Sequence, residues 1–347
     1  RSDEVFIINR PFVDEERETW DYLSDIYLSD DEIALENESN QSQVVKVLFL
    51  GDLMLDRHVG EIINNQSLDY LFTNLNQVNF FNDWDIISVN LEGAVTNDGA
   101  HYPPVNAYDF AFKPSLIANL KEYGFNYFSL ANNHFSDQGQ KGITESRQNL
   151  AELGVYFSGS ADAVINEYSR QDIEINNQKL AFISLSMVYN HFDEIKAHDL
   201  VSKANSETDF VLVNIHWGNE YEHNFNRYQQ EVGRKLLDAG ADVLIGHHPH
   251  VVQGMEIYKN KPIFYSLGNF IFDQYFSEAT QEGLALGLEI FVDRIKISLF
   301  PFKSQLSVPQ LLNSEETYGF VEKFITWSEL SGTWPDRIQD GYWFMSR

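Results

Sequence analysis

Five short apolar runs, each closing on a polar side chain, constrain this chain more than any other feature. They are VVKVLFLGD (44–52), DIISVNLEG (85–93), FNYFSLANNH (125–134), DFVLVNIHWG (209–218) and ADVLIGHH (241–248). Runs this short and this continuously apolar read as strands buried on both faces. Helical patterns lie between or after them: GEIINNQSLDYLFTNLNQVNFF (60–81), KPSLIANLKEYG (113–124), GITESRQNLAELG (142–154) and NRYQQEVGRKLLDAG (226–240). The 113–124 stretch opens on Lys-Pro and stops at Gly124, as a short helix does. Strand–helix alternation of this kind predicts an α/β fold with a mainly parallel sheet and helices on its faces.

The remaining segments fit around that unit. RQDIEINNQKLAFISLS (170–186) predicts a hairpin turning at Asn176–Asn177. The stretches 251–272 and 283–302 each read as two strands joined by a tight turn, antiparallel additions to the sheet. Residues 311–347 predict one C-terminal helix, EETYGFVEKFITWSELSG, and an aromatic tail, a helical appendage to the main unit. Residues 1–43 are acidic and glycine-poor and predict an N-terminal arm with a short helix, packing Trp20, Tyr22 and Tyr27 on the main body. The division is therefore an arm at 1–43, one α/β domain at 44–310 and an appendage at 311–347.

Charge bears on partners. The formal net charge is −28. Such a surface repels polyanions over about 8 Å in physiological salt. No cluster of Lys and Arg suits nucleic acid, so no nucleic-acid partner is expected. Cysteine is absent, which excludes disulfides and thiolate metal sites. No run approaches the length of a membrane-spanning helix. The sequence starts at Arg1 rather than at a methionine, so a targeting or anchoring segment is expected to lie outside it.

The polar residues that close the apolar runs form a pattern of their own. Asp52, Glu92, Asn132, Asn133, His134, His216, His247, His248 and His250 all follow strands. In an open α/β sheet the carboxyl ends of parallel strands lie along one edge, where ligands bind. A single histidine after a strand is ordinarily a hydrogen-bonded structural residue, and an Asp after Gly is ordinarily a turn or a cap. Nitrogen and carboxylate donors delivered together from five strands point instead to a divalent cation: manganese, zinc or iron, one ion or two. A carboxylate between two such ions can clamp both oxygens of a displacement. No phosphate-cradling glycine loop, nucleophile elbow or HExxH follows any strand.

Six ordered motifs carry a resemblance: GDLMLDR (51–57), NLEGAVT (90–96), ANNHFSDQG (131–139), HWGNEY (216–221), GHHPHVVQG (246–254) and YSLGNFIFDQ (265–274). This set resembles that of the CapA family, the poly-γ-glutamate capsule synthesis proteins, whose fold is similar to that of calcineurin-like metallophosphoesterases. The resemblance spans about 44–309 and implies a four-layer α-β-β-α sandwich. It implies Asp52, Glu92, Asn133, His216, His248 and His250 as metal ligands, with Glu92 in the place of a bridging aspartate and His247 competing for one role. His134 matches the histidine that protonates a leaving group. Arg57, Asn132, His247 and Asn269 are expected on the substrate side; Arg57 has a structural ion pair as its alternative, and Glu220 and Asn269 have loop support as theirs.

One position departs from the metallophosphoesterase pattern. Met54 stands where the histidine of the first motif would be, and a thioether is a poor ligand for a hard cation. One metal, a weak second metal, or a different reaction all remain open. The resemblance implies a bacterial envelope protein, extracytoplasmic and membrane-anchored, acting with other capsule-synthesis proteins on poly-γ-glutamate, another anionic polymer or a precursor. The implied activity is that of a metal-dependent hydrolase or transferase. The alternatives are a non-catalytic polymer-binding subunit and a phosphoesterase acting on small envelope substrates.

Overall fold

The computed structural model describes residues 44–346. The N-terminal arm expected at 1–43, with Trp20, Tyr22 and Tyr27, lies outside the described residues. Two large sheets dominate. The first runs, edge to edge, Val308–Leu311, Arg294–Gln305, Glu282–Ile290, Val45–Leu53, Ile86–Leu91, Phe125–Ser129 and Tyr156–Ser158. The last four of these strands are parallel, whereas Glu282–Ile290 and Arg294–Gln305 are antiparallel additions. The second sheet runs Val252–Tyr258, Lys261–Leu267, Val243–His247, Phe210–His216, Gln178–Ser186 and Arg170–Ile175, with its four central strands parallel.

Side-chain alternation along the central strands explains the layering. In Val45–Leu53, Val45, Val47 and Phe49 point into one apolar cluster, while Leu48 and Leu50 point into another. The first cluster also holds Phe210, Leu212, Val243 and Ile245, so it is the seam between the two sheets. Leu48 and Leu50 pack with Val59, Ile117, Leu120 and Leu150 of the helices outside the first sheet. Val211, Val213 and Leu244 meet Ala197, Val201, Val232 and Leu236 of helices Glu194–Glu207 and Arg227–Asp238 outside the second. The order is therefore helix, sheet, sheet, helix, a four-layer α-β-β-α sandwich. Each fully buried Leu, Val or Phe contributes about 1.5–3 kcal/mol to holding the layers together.

Two expectations are corrected. The stretch 60–81 is not one helix but the end of Arg57–Asn65 followed by Leu68–Leu71 and Thr73–Gln77. The break falls at Ser67, whose φ of 131° no helix tolerates. The C-terminal segment folds as helix Ser314–Thr326, short helix Trp334–Gln339 and strand Tyr342–Ser346. That strand pairs with Arg294–Gln305, and Trp343 and Met345 enter the seam between the sheets. The aromatic tail is thus part of the first sheet. The hairpin turn stands where expected, with Asn176 and Asn177 both at positive φ, as a type I′ turn needs. Among the described residues no helix is long and apolar enough to cross a membrane.

Candidate metal centre

The parallel strands of both sheets end on the same side, and their last residues meet there. Asp52 is the last residue but one of the first strand, and the ladder there places it opposite Asn90 and Asn269. Asn269 can come this close because Gly51 carries no side chain: a Cβ there would lie 1.9 Å from the Gly268 carbonyl oxygen. The same carbonyl accepts the Asp52 amide at 2.9 Å. Gly268 itself turns with a φ of 70°.

Around the buried Asp52 the imidazoles converge. His247 Nδ1 lies 3.4 Å from Asp52 Oδ1, and His250 Nδ1 lies 3.3 Å from Oδ2. The His248 amide donates to Oδ2 at 3.3 Å. Asn269 Oδ1 lies 2.9 Å from the same His250 Nδ1. His248 and His250 hold φ of 97° and 58°, and Tyr221 and Arg57 hold 66° and 51°. Non-glycine residues in this region store about 1–3 kcal/mol each, and such strain clusters at functional sites.

Glu92 follows the Ile86–Leu91 strand and is wholly buried. Its Oε1 lies 3.3 Å from Asn90 Nδ2 and 3.9 Å from His216 Nδ1, while Oε2 has no hydrogen-bond partner among the described residues. The buried His248 Nδ1 has none either. His216 Nε2 pairs with Asn133 Oδ1 at 2.7 Å. Asp52, Glu92 and His250 offer ligand atoms within 4.8 Å of one another, as do Glu220, His248 and His250.

The electrostatics match that crowding. Burial pushes the Asp52 carboxyl up, but His247 and His250 overcome it and hold the group well below the usual carboxylate range. Burial and then the neighbouring Asp52 push Glu92 well above that range. Burial and then His248 lower the His216 imidazole strongly, and burial and then His250 push His248 down to about 3. Neutral imidazoles and a carboxylate that ionises reluctantly in the free protein are what a divalent cation would convert into ligands. The orphaned Glu92 Oε2 and His248 Nδ1, buried without partners, fit such an ion, and the sulfur-free donors suit manganese, zinc or iron.

The rest of the expected set divides clearly. His134 stands at the rim, its Nδ1 2.8 Å from Asp137 Oδ2 and its ring 4.3 Å from that of Phe110. Burial raises the Asp137 carboxyl, with His134 acting against the rise. Asn132, expected on the substrate side, is fully buried. It spends its amide on the Leu91 carbonyl at 2.9 Å and on Asn90 Oδ1 at 3.3 Å, and so holds the 131–134 loop. His247 and Asn269 are likewise buried against Asp52 and His250. The Arg57 guanidinium is gripped by both carboxylate oxygens of Asp273, so the ion-pair alternative describes its side chain. Met54 is buried in the outer cluster, and its sulfur accepts the Asp56 amide at 3.1 Å.

Two residues were missed in the sequence. Asn90 Nδ2 reaches Asp52 Oδ1 at 2.8 Å and His216 Nδ1 at 3.2 Å, so this amide sits at the centre of the cluster. Its signal was the alternation Ile87, Val89, Leu91 against Ser88 and Asn90, which sends the polar pair to the seam side. Asp137, three residues past His134 within ANNHFSDQG, is the other.

Against known proteins, the profile described as "Bacterial capsule synthesis protein PGA_cap" matches residues 46–274. The "Capsule biosynthesis protein CapA" of Bacillus anthracis is 30% identical over 266 residues, covering 70% of this chain and 64% of the relative. The chain thus spans less than two thirds of that relative's length. The "PGA biosynthesis protein CapA" of Bacillus subtilis (strain 168) is 29% identical over 261 residues, covering 70% and 67%. A hypothetical protein from Thermus thermophilus superposes with a TM-score of 0.49 at 15% identity, covering 75% of this chain and 99% of that one. With its sheet-edge cluster inside the matched span, this chain belongs to the bacterial capsule synthesis protein family, PGA_cap.

Proposed function

We propose that this protein acts in the synthesis, export or attachment of poly-γ-glutamate or a related anionic polymer in the bacterial envelope, as a metal-dependent hydrolase or transferase. The relatives' names supply the biological setting. One observation carries the chemistry: buried Asp52, Glu92 and His250 converge within 4.8 Å, and Glu92 Oε2 has no partner among the described residues. Asp52, Glu92, Asn133, His216, His248 and His250 would hold one or two divalent ions, with Glu220 an added candidate. A bound divalent ion would polarise a substrate oxygen and make water a nucleophile at neutral pH.

The chain's own residues supply the rest. Asp137 holds the Nδ1 side of His134, which leaves Nε2 as the atom that takes or delivers a proton. Phe110 packs against the same ring and limits its rotation. Asn90 orients Asp52 and His216 with one amide. The net charge of −28 makes the surface repel an acidic polymer, so its carboxylates would be attracted only where cations sit.

The test combines elemental analysis of the purified protein with hydrolysis of poly-γ-glutamate and of a chromogenic phosphate ester. His134→Ala should abolish turnover and leave bound metal unchanged; normal turnover would remove His134 from the mechanism. A second reading, a non-catalytic polymer-binding subunit, is favoured by Met54, which is locked in the core where a ligand would be needed. Metal-free protein without hydrolysis, yet able to bind the polymer, would select it.

A further inference from the structure

The loop that follows the Phe210–His216 strand is tied to the histidine segment at two points. The Trp217 amide donates to the His247 carbonyl at 3.0 Å, and the Tyr221 amide donates to the Pro249 carbonyl at 2.8 Å. Trp217 is wholly buried and its Nε1 donates to the Tyr265 carbonyl at 2.8 Å, which anchors the start of the loop. Gly218 turns at a φ of 87° and Tyr221 at 66°. Glu220 lies between these ties and is carried to the side of His248 and His250. The three residues offer ligand atoms within 4.8 Å of one another.

An exposed glutamate in a loop is ordinarily a solvated charge. Glu220 instead faces the buried cluster. Burial, then Asp52, then Glu220 raise the Glu92 carboxyl. Burial and then Glu220 push the phenols of Tyr189 and Tyr221 up. Among the described residues no lysine or arginine makes an ion pair with Glu220. Its two imidazole neighbours are poised for a ligand. His248 is buried, and its Nδ1 has no partner among the described residues. His250 Nδ1 lies 2.9 Å from Asn269 Oδ1 and 3.3 Å from Asp52 Oδ2, which leaves Nε2 for an ion on the Glu220 side. A ligating histidine ordinarily turns its other nitrogen to a carboxylate or a carbonyl in this way.

One carboxylate and two imidazoles form a donor set used by open zinc sites, where the remaining position takes water or substrate. Asp52 and Glu92 are fully buried, whereas Glu220 is exposed. We propose that Glu220, His248 and His250 form a second, solvent-facing divalent-cation position, separate from the buried one at Asp52 and Glu92. Met54, locked in the core, leaves the buried position short of a nitrogen donor. Glu220 adds an anionic donor outside it, from a loop rather than from a strand end. This position rests on the metal-dependent reading above, yet on a carboxylate of its own, so the two can fail separately.

The experiment titrates the chelator-stripped full chain with zinc in competition with a chromogenic chelator, and counts bound metal by elemental analysis. Wild type should take up two equivalents in two affinity classes. Glu220→Gln should weaken one class by at least about 100-fold, more than the loss of an outer-shell partner costs, and keep the other. Glu222→Gln removes the same charge two residues away, from an exposed side chain bonded to Asn219 at 3.1 Å, and should leave both classes as in wild type. Equal weakening in the two variants would reduce Glu220 to its charge and overturn its role as a ligand. A single class unmoved by Glu220→Gln, or two classes both kept in it, would overturn the solvent-facing position and leave the buried one standing. A single class lost in Glu220→Gln and kept in Glu92→Gln would support the solvent-facing position and remove the buried one. Wild type that takes up no zinc would overturn both.

Discussion

Replacing Glu92 by Gln tests the electrostatic design of the cluster without emptying it. Asp52 and Glu92 offer carboxylate oxygens within 4.8 Å, both fully buried. Two ionised groups at that distance repel by about 3.5 kcal/mol at an effective dielectric constant of 20. In the metal-free protein burial, and then this repulsion, make Glu92 keep its proton, so its carboxyl titrates well above the usual range. A group whose folded pKa is raised contributes stability that is complete below the unfolded value near 4.5 and is lost as pH climbs through the raised value. The metal-free wild type should therefore weaken with rising pH, and Glu92→Gln should escape that loss. In chelator at pH 8 the variant should be more stable by about 1–3 kcal/mol, a rise in Tm of roughly 2–6 °C. Below pH 4.5 the two proteins should coincide. Added manganese should reverse the order at pH 8, because the wild type gains a ligand set that the variant has lost. Thermal unfolding followed by circular dichroism reads all four conditions. A variant less stable than wild type in chelator at pH 8, with the same deficit at pH 4, would refute the like-charge account of Glu92.

Other consequences follow from single contacts. Asn90→Ala removes the amide shared by Asp52, Glu92 and His216 and should lower metal affinity about 10–100-fold, read by competition with a chromogenic chelator. Met54→His should not restore a ligand: it puts an imidazole into the apolar outer cluster, should cost about 2–4 kcal/mol in urea unfolding, and should leave the metal stoichiometry unchanged. Asp137→Asn should cut kcat by about two orders of magnitude with KM little altered, and should shift the pH profile of whichever substrate is turned over, because the His134 ring loses its anionic partner.

The strand ends were readable because burial on both faces leaves a continuous apolar run, and the first polar residue after it marks the sheet edge. Asp52, Glu92, His216 and the 247–250 histidines were found that way. Asn90 was hidden by the same logic: it sits inside a run, where one polar residue looks like a lapse in a strand rather than a side chain facing the seam. The sandwich of two sheets was implied only by resemblance, since an apolar run does not say whether a helix or a second sheet covers each face. The pairing of Arg57 with Asp273 joins residues 216 apart in sequence, beyond any local pattern. The break at Ser67 was invisible because apolar spacing continues on both sides of it. Trp343 and Met345 carried the period of a strand, but in a segment too short and aromatic to be separated from a tail.

Anomalous scattering from crystals grown with manganese and without chelator tests the central claim most directly. A peak within coordinating distance of Asp52, Glu92 and His250, with or without a second beside Glu220 and His248, is the predicted result. Clean density with no anomalous signal at this edge, from protein that keeps the fold described here, would contradict it.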